Sequence, residues 1–186
     1  MLKTHYFFAL SLPEDTKERI QELTQRAWTQ DSFKKWVHPD DYHITLAFLG
    51  DSSSHQLNDA IEHIEAKVRS LSSFSLELKQ FGTYGKVDSP RILWMGIHYS
   101  QPLHLLRELV YDGCKDVGFQ LDSRPFSPHI TLGRKWNMGI PFSPATLEGT
   151  ILHTTERFSI NEVVLYRTHI DRSPKYEAIH TIPLQN

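Results

Sequence analysis

Apolar and polar positions alternate along the chain with a period that switches between two and three to four, and each switch marks a predicted element. Residues 5–12 are mostly apolar and predict a buried first strand. Pro13, followed by Glu14 and Asp15, then opens a helix with acids set against its dipole. Ile20, Leu23 and Ala27 keep helical spacing to about Trp28, and residues 34–37 form a short strand closed by His38-Pro39. A β-favouring run, YHITLAFLG, ends at Gly50, and a serine-rich turn leads into a second helix carrying Leu57, Ile61, Ile64 and Val68. Phe74, Leu76 and Leu78 alternate with polar residues before the glycines of Phe81-Gly82 and Tyr84-Gly85, and PRILWMGI supplies the next strand. A third helix spans Leu103, Leu106, Leu109, Val110 and Val117 and stops at Gly118, after which a second HITL strand begins behind Ser127-Pro128. Residues 136–149 read as an irregular excursion with a short helix, and two strands at 158–166 and 176–182 close the chain.

Several strands follow one another without an intervening helix, so this is not the regular βαβ alternation of a parallel sheet. The pattern predicts an α+β fold with mostly antiparallel sheets and a duplicated plan. No long linker separates independent units, and residues 1–186 read as one domain with two lobes.

Composition narrows the function classes. With 186 residues, 39% hydrophobic and 23% charged, the chain is globular and holds no apolar run of membrane-spanning length. Pro13-Glu14-Asp15 stands where a signal peptide would need small residues for cleavage, and the lone Cys114 excludes an internal disulfide; cytoplasm is the expected compartment. A net charge of −2 does not suit a protein that grips long nucleic acid, but it is compatible with a site for one or two phosphates at a strand end.

The candidate chemistry lies in the repeat His43-Ile44-Thr45-Leu46 and His129-Ile130-Thr131-Leu132. In a strand, His43 and Thr45 share one face while Ile44 and Leu46 share the other, and the second copy does the same. If the halves are related by a rough two-fold axis, two imidazoles and two hydroxyls line one cleft. Such a quartet suits displacement at phosphorus. One histidine takes a proton from water, the other gives one to the departing alkoxide, and the hydroxyls hydrogen-bond the non-bridging oxygens. No metal or other cofactor is demanded. A zinc site lacks the H-E-x-x-H or Cys/His spacing. A serine or cysteine hydrolase lacks a G-x-S-x-G elbow, and Cys114 falls on the buried side of a helix.

With both motifs in view, and with FFALSLPED, WVHPDDYHITLAFLG, PRILWMGI and RPFSPHITLGR around them, the chain resembles the two-histidine (2H) phosphoesterase superfamily. Within it, the chain is most similar to the LigT-like bacterial RNA 2′,3′-cyclic phosphodiesterases once named 2′-5′ RNA ligases. That resemblance implies a bilobal, pseudo-two-fold duplication of two mostly antiparallel β-sheets with helices packed on the outside and a central cleft, in which RNA 2′,3′-cyclic phosphate ends are hydrolysed without metal to 2′-phosphates. It casts His43 as the acid, His129 as the base, and Thr45 and Thr131 as phosphate-binding hydroxyls. Arg134 matches the arginine that closes the second motif; the corresponding place in the first is Phe48. Five residues past His129, Arg134 has the wrong parity for the cleft, so a bulge or strand end near Gly133 is expected. Phe8 and Tyr176 are candidates for stacking on a base or sugar. Thr168 and Ser173-Pro174 depart from the serine and glycine turn common in this branch. The expected partners are RNA 3′ ends bearing a cyclic phosphate, or small cyclic nucleotides, handled by a monomer with no membrane association. Reverse ligation, a small cyclic phosphate substrate and a non-catalytic RNA-end or nucleotide-binding module remain competing readings.

Overall fold

A computed structural model describes residues 4–148 and 155–185. Among the described residues nine strands and four α-helices follow one another as β1 (Tyr6–Ser11), α1 (Glu14–Ala27), β2 (Phe33–Trp36), β3 (His43–Gly50), α2 (Ser54–Val68), β4 (Phe74–Gly85), β5 (Pro90–Ile97), α3 (Gln101–Asp116), β6 (His129–Trp136), α4 (Ala145–Glu148), β7 (Arg157–Ile160), β8 (Glu162–Thr168) and β9 (Tyr176–Pro183). They form the expected α+β fold with two sheets, ordered β3-β1-β8-β9 and β2-β6-β5-β4-β7, and all neighbouring strands are antiparallel.

The helices begin where the chain offers their first N–H groups a partner. Ser53 Oγ accepts from the Gln56 N–H and Ser100 Oγ from the Leu103 N–H, both at 3.3 Å. At α1 no side chain caps; Pro13 precedes the acidic first turn of Glu14 and Asp15. The inward faces of the helices bury Ile20, Leu57, Ile64, Leu103, Leu106 and Val110 in a core that also takes Phe8, Ile44, Leu93, Ile130 and Leu165 from both sheets.

The two HITL strands behave alike beyond the tetrapeptide. Against β1, β3 pairs Ala47 with Phe8 and Thr45 with Ala9, leaving Leu46 as an extra residue. Against β5, β6 pairs Gly133 with Leu93 and Thr131 with Trp94, leaving Leu132 extra. Each strand therefore bulges at its leucine, which resets the alternation and returns the residue five places after the histidine to the polar face. The expected bulge near Gly133 is present, and Phe48 and Arg134 are the two residues it serves. Gly133 allows a close approach at that point: a Cβ there would lie 3.1 Å from Cγ of Phe33 and 3.3 Å from the Trp36 ring, a tight contact.

Two expectations are corrected. Residues 158–166 do not form one strand, because the apolar phase changes at Asn161-Glu162. Before it, Phe158 and Ile160 alternate in β7 beside β4; after it, Val163, Val164 and Leu165 run continuously in β8 beside β1. The strand from Phe74 also passes through Gly82 to Gly85, with an irregularity between Leu78 and Phe81. The irregular excursion holds the short helix α4, and its end at Gly149 lies outside the described residues.

Candidate active site

A 3-10 turn, Pro39–Asp41, delivers the chain into β3. The His43 Nδ1–H donates to the Asp41 carbonyl at 2.7 Å, which leaves Nε2 as the free base nitrogen facing the Thr45 hydroxyl at 3.0 Å. The second motif repeats this device: the His129 Nδ1–H donates to the Ser127 carbonyl at 2.8 Å. In both, a carbonyl two residues upstream fixes the tautomer and frees Nε2.

His43 sits in an aromatic box. Its ring centroid is 4.9 Å from that of Phe7 and 5.1 Å from Tyr176, which meets it edge-on, and Tyr166 stacks on Phe7 at 5.3 Å. Burial lowers its pKa to about 4, opposed by the bond to Asp41, with His129 and Arg134 adding smaller repulsive contributions. The same burial pushes the Tyr166 hydroxyl up to about 12 and raises Tyr176, so both stay protonated. His129 is flanked by Tyr84, edge-on at 5.2 Å, and by Trp94 at 6.2 Å. The Tyr84 and Ser127 hydroxyls are 3.1 Å apart, so the aromatic wall is tied to the segment that orients His129.

Between the motifs lies a cavity of about 300 Å³ lined by His43, Thr45, Thr131, Arg134, Tyr176, Phe7, His5, Phe48 and Thr168. Three of the four motif side chains and Arg134 thus open onto one space. His129 is not in the cavity wall; it stands two residues before the wall residue Thr131 on β6, and its positive form disfavours a proton on His43. Phe8 is corrected: it is 0% exposed and packs in the core. Cross-strand partners explain the parity, since Phe8 opposes Ala47 and Leu165 whereas Phe7 opposes Phe48 and Tyr166. Phe48, 55% exposed, stands at the cavity lip against His5.

Asp41 was legible only as part of WVHPDDYHITL. Its buried carboxylate accepts from the Lys175 N–H at 2.9 Å with each oxygen and from the Tyr176 N–H at 3.0 Å, pinning the start of β9 beside His43. Among the described residues, no group of three or more His, Cys, Asp or Glu is arranged to hold a metal ion. Among them, too, no helix is long and apolar enough to cross a membrane.

Residues 12–172 match the model of the 2′-5′ RNA ligase superfamily. The chain is 42% identical over 184 residues to an RNA 2′,3′-cyclic phosphodiesterase of Geobacillus stearothermophilus, covering 99% of this chain and 58% of that protein. It therefore spans little more than half the length of that relative. A protein of the same name from Bacillus subtilis is 32% identical over 185 residues, 98% of each chain. Among solved structures, E. coli LigT complexed with 3′-AMP superposes with a TM-score of 0.79 at 23% identity, covering 98% of this chain and 99% of that one. TT0787 of Thermus thermophilus gives 0.80 at 22%, covering 98% of each. At these identities the structural likeness concerns the fold.

Proposed function

Because this chain belongs to the 2′-5′ RNA ligase superfamily, we propose that it hydrolyses the 2′,3′-cyclic phosphate at RNA 3′ ends to a 2′-phosphate, as a single-domain cytoplasmic monomer. The observation that carries this reading is the convergence of His43, Thr45, Thr131 and Arg134, drawn from two distant strands, on one cavity whose histidine also feels the charge of His129.

In the proposed reaction, water attacks phosphorus as His129 Nε2 takes its proton. The P–O3′ bond breaks, and O3′ receives a proton from His43 Nε2, leaving a 3′-hydroxyl and a 2′-phosphate. Thr45, Thr131 and Arg134 face the non-bridging oxygens, where negative charge collects. His43 is neutral at pH 7 in the free protein, with its pKa at about 4. An anionic phosphate set against Nε2 opposes that shift and draws in the proton the leaving group needs. The protons and the charge are handled by side chains of the cleft, so the scheme calls on no metal. With an RNA 5′-hydroxyl in place of water as nucleophile, the same steps break P–O3′ and join the ends by a 2′-5′ linkage; in bulk water hydrolysis dominates.

The test is to offer the purified protein a short RNA ending in 2′,3′-cyclic phosphate, with and without EDTA. The reading expects EDTA-resistant gain of one water and a terminal phosphate that a phosphomonoesterase removes. Tight binding with no mass change would instead identify a binding module.

A further inference from the structure

A second and larger cavity, about 400 Å³, adjoins the first; Arg134 and Tyr176 line both. Its wall brings together Lys35, Arg134, Arg172 and Lys175, with Asp41, Asp171, His38 and Tyr176 as the other titratable groups and Trp36 and Val37 as apolar surface. Lys35 on β2 stands directly opposite Arg134 on β6 in the sheet register, so the two cations share a face as nearest cross-strand neighbours. Like charges in that relation oppose folding. From the loop that leads into β9 of the other sheet comes Lys175, whose ammonium is held below its ordinary pKa first by the facing Lys35, then by burial and Arg134.

Among the described residues Lys35, Lys175 and Arg134 take part in no ion pair, and the charge of Asp41 opposes only part of the repulsion on Lys175. Both oxygens of the Asp41 carboxylate are engaged by the Lys175 and Tyr176 N–H groups. Arg172 lies 3.9 Å from Glu177, and His38 lies 3.6 Å from Asp40. Three converging cations beside a candidate phosphate site call for a second anion, and the spacing is that of adjoining pockets bridged by one guanidinium.

We propose that this cavity is a second phosphate subsite, holding the phosphate on the 5′ oxygen of the terminal nucleotide, so that the protein prefers an RNA chain end to a mononucleoside cyclic phosphate. The inference rests on the cyclic phosphodiesterase reading. In a chain that 5′ phosphate is the last internucleotide linkage, and Trp36 and Val37 offer surface to the residue upstream.

The test uses a dinucleotide ending in 2′,3′-cyclic phosphate, the same compound with a neutral methylphosphonate linkage, and the variant Lys35→Gln/Lys175→Gln. In the native protein the charged linkage should raise kcat/KM about tenfold or more over the neutral one, as expected for a charge-assisted phosphate contact. In the double variant that preference should collapse, so that removing the charge on both sides costs no more than removing it on one. A preference that survives in the variant, or a native protein blind to the linkage, overturns the subsite. If the native protein turns over neither compound, the catalytic reading fails instead. Fluorescence anisotropy with the corresponding 2′-phosphate dinucleotides then decides the subsite by the same comparison of charged and neutral linkages.

Discussion

The buried carboxylate of Asp41 accepts a hydrogen bond from the backbone N–H of Tyr176 at 3.0 Å, joining the turn that orients His43 to the strand whose tyrosine meets the same imidazole edge-on. Removing the acceptor strands the buried-side N–H groups of Lys175 and Tyr176. Asp41→Ala should therefore cost about 1–3 kcal/mol. That lowers Tm by about 2–4 °C for each kcal/mol in a chain of this size. Asp41→Asn, which keeps an acceptor oxygen, should lose less of both stability and turnover. Thermal melts of the two variants, run beside their kinetics, check the ordering; equal losses would remove Asp41 from its positioning role.

Arg134 reaches the cleft only because β6 bulges at Leu132, and the bulge brings Gly133 against Phe33 and Trp36. Arg134→Ala should lower kcat by about 10²–10³-fold, the range for a donor to developing negative charge. Gly133→Val, which forces a branched side chain into that contact, should reduce both Tm and kcat without touching Arg134 itself. A Gly133→Val protein with native turnover would contradict the coupling of bulge and guanidinium.

Gly82 lies beneath the Trp94 indole, where an added Cβ would come within 2.2 Å of the ring. That ring lies tilted against Tyr84 at 5.2 Å and flanks His129. Gly82→Ala should overpack this wall at a cost of about 1–3 kcal/mol. It should also slow turnover more than it weakens binding, because it displaces the neighbours of His129, the proposed general base. Denaturant titration and a separation of kcat from KM test both statements.

Burial sets the sign of one pH effect on stability. His43 is lowered to about 4 in the folded protein from 6.5. Between those values the unfolded chain holds a proton that the folded chain does not. This contribution is fully present above pH 6.5 and is lost as pH falls towards 4; allowing for the ring's open side it amounts to about 2 kcal/mol. His43→Gln should lack it. Chemical denaturation of both proteins at pH 7 and pH 4.5 should show a steeper fall for the native protein; parallel falls would contradict burial as the cause.

Much of the site was legible because strand parity is a strong constraint. His43 and Thr45 on one face, with Ile44 and Leu46 on the other, needed no coordinates, and the awkward parity of Arg134 pointed to the bulge that is present. What parity alone could not decide was phase against a partner. Phe7 and Phe8 are equivalent in the sequence, and only pairing with Phe48 and Ala47 sends one to the cleft and the other to the core. The split at Asn161 was hidden for a related reason: a change from alternation to a continuous apolar run marks a strand that changes sheet, yet it also fits one long strand. Asp41 and the Lys35–Lys175 cluster depend on contacts across more than a hundred residues, for which local pattern carries no signal.

The central claim is that His43 and His129 act as a pair on one phosphorus atom, and the kinetics of His43→Ala, His129→Ala and the double variant on a cyclic-phosphate RNA test it most directly. Each single change should cost about 10²–10⁴-fold in kcat. The double variant should fall well short of the product of the two losses, as for groups that work as a unit. Either single variant retaining turnover within tenfold of the native protein would contradict it.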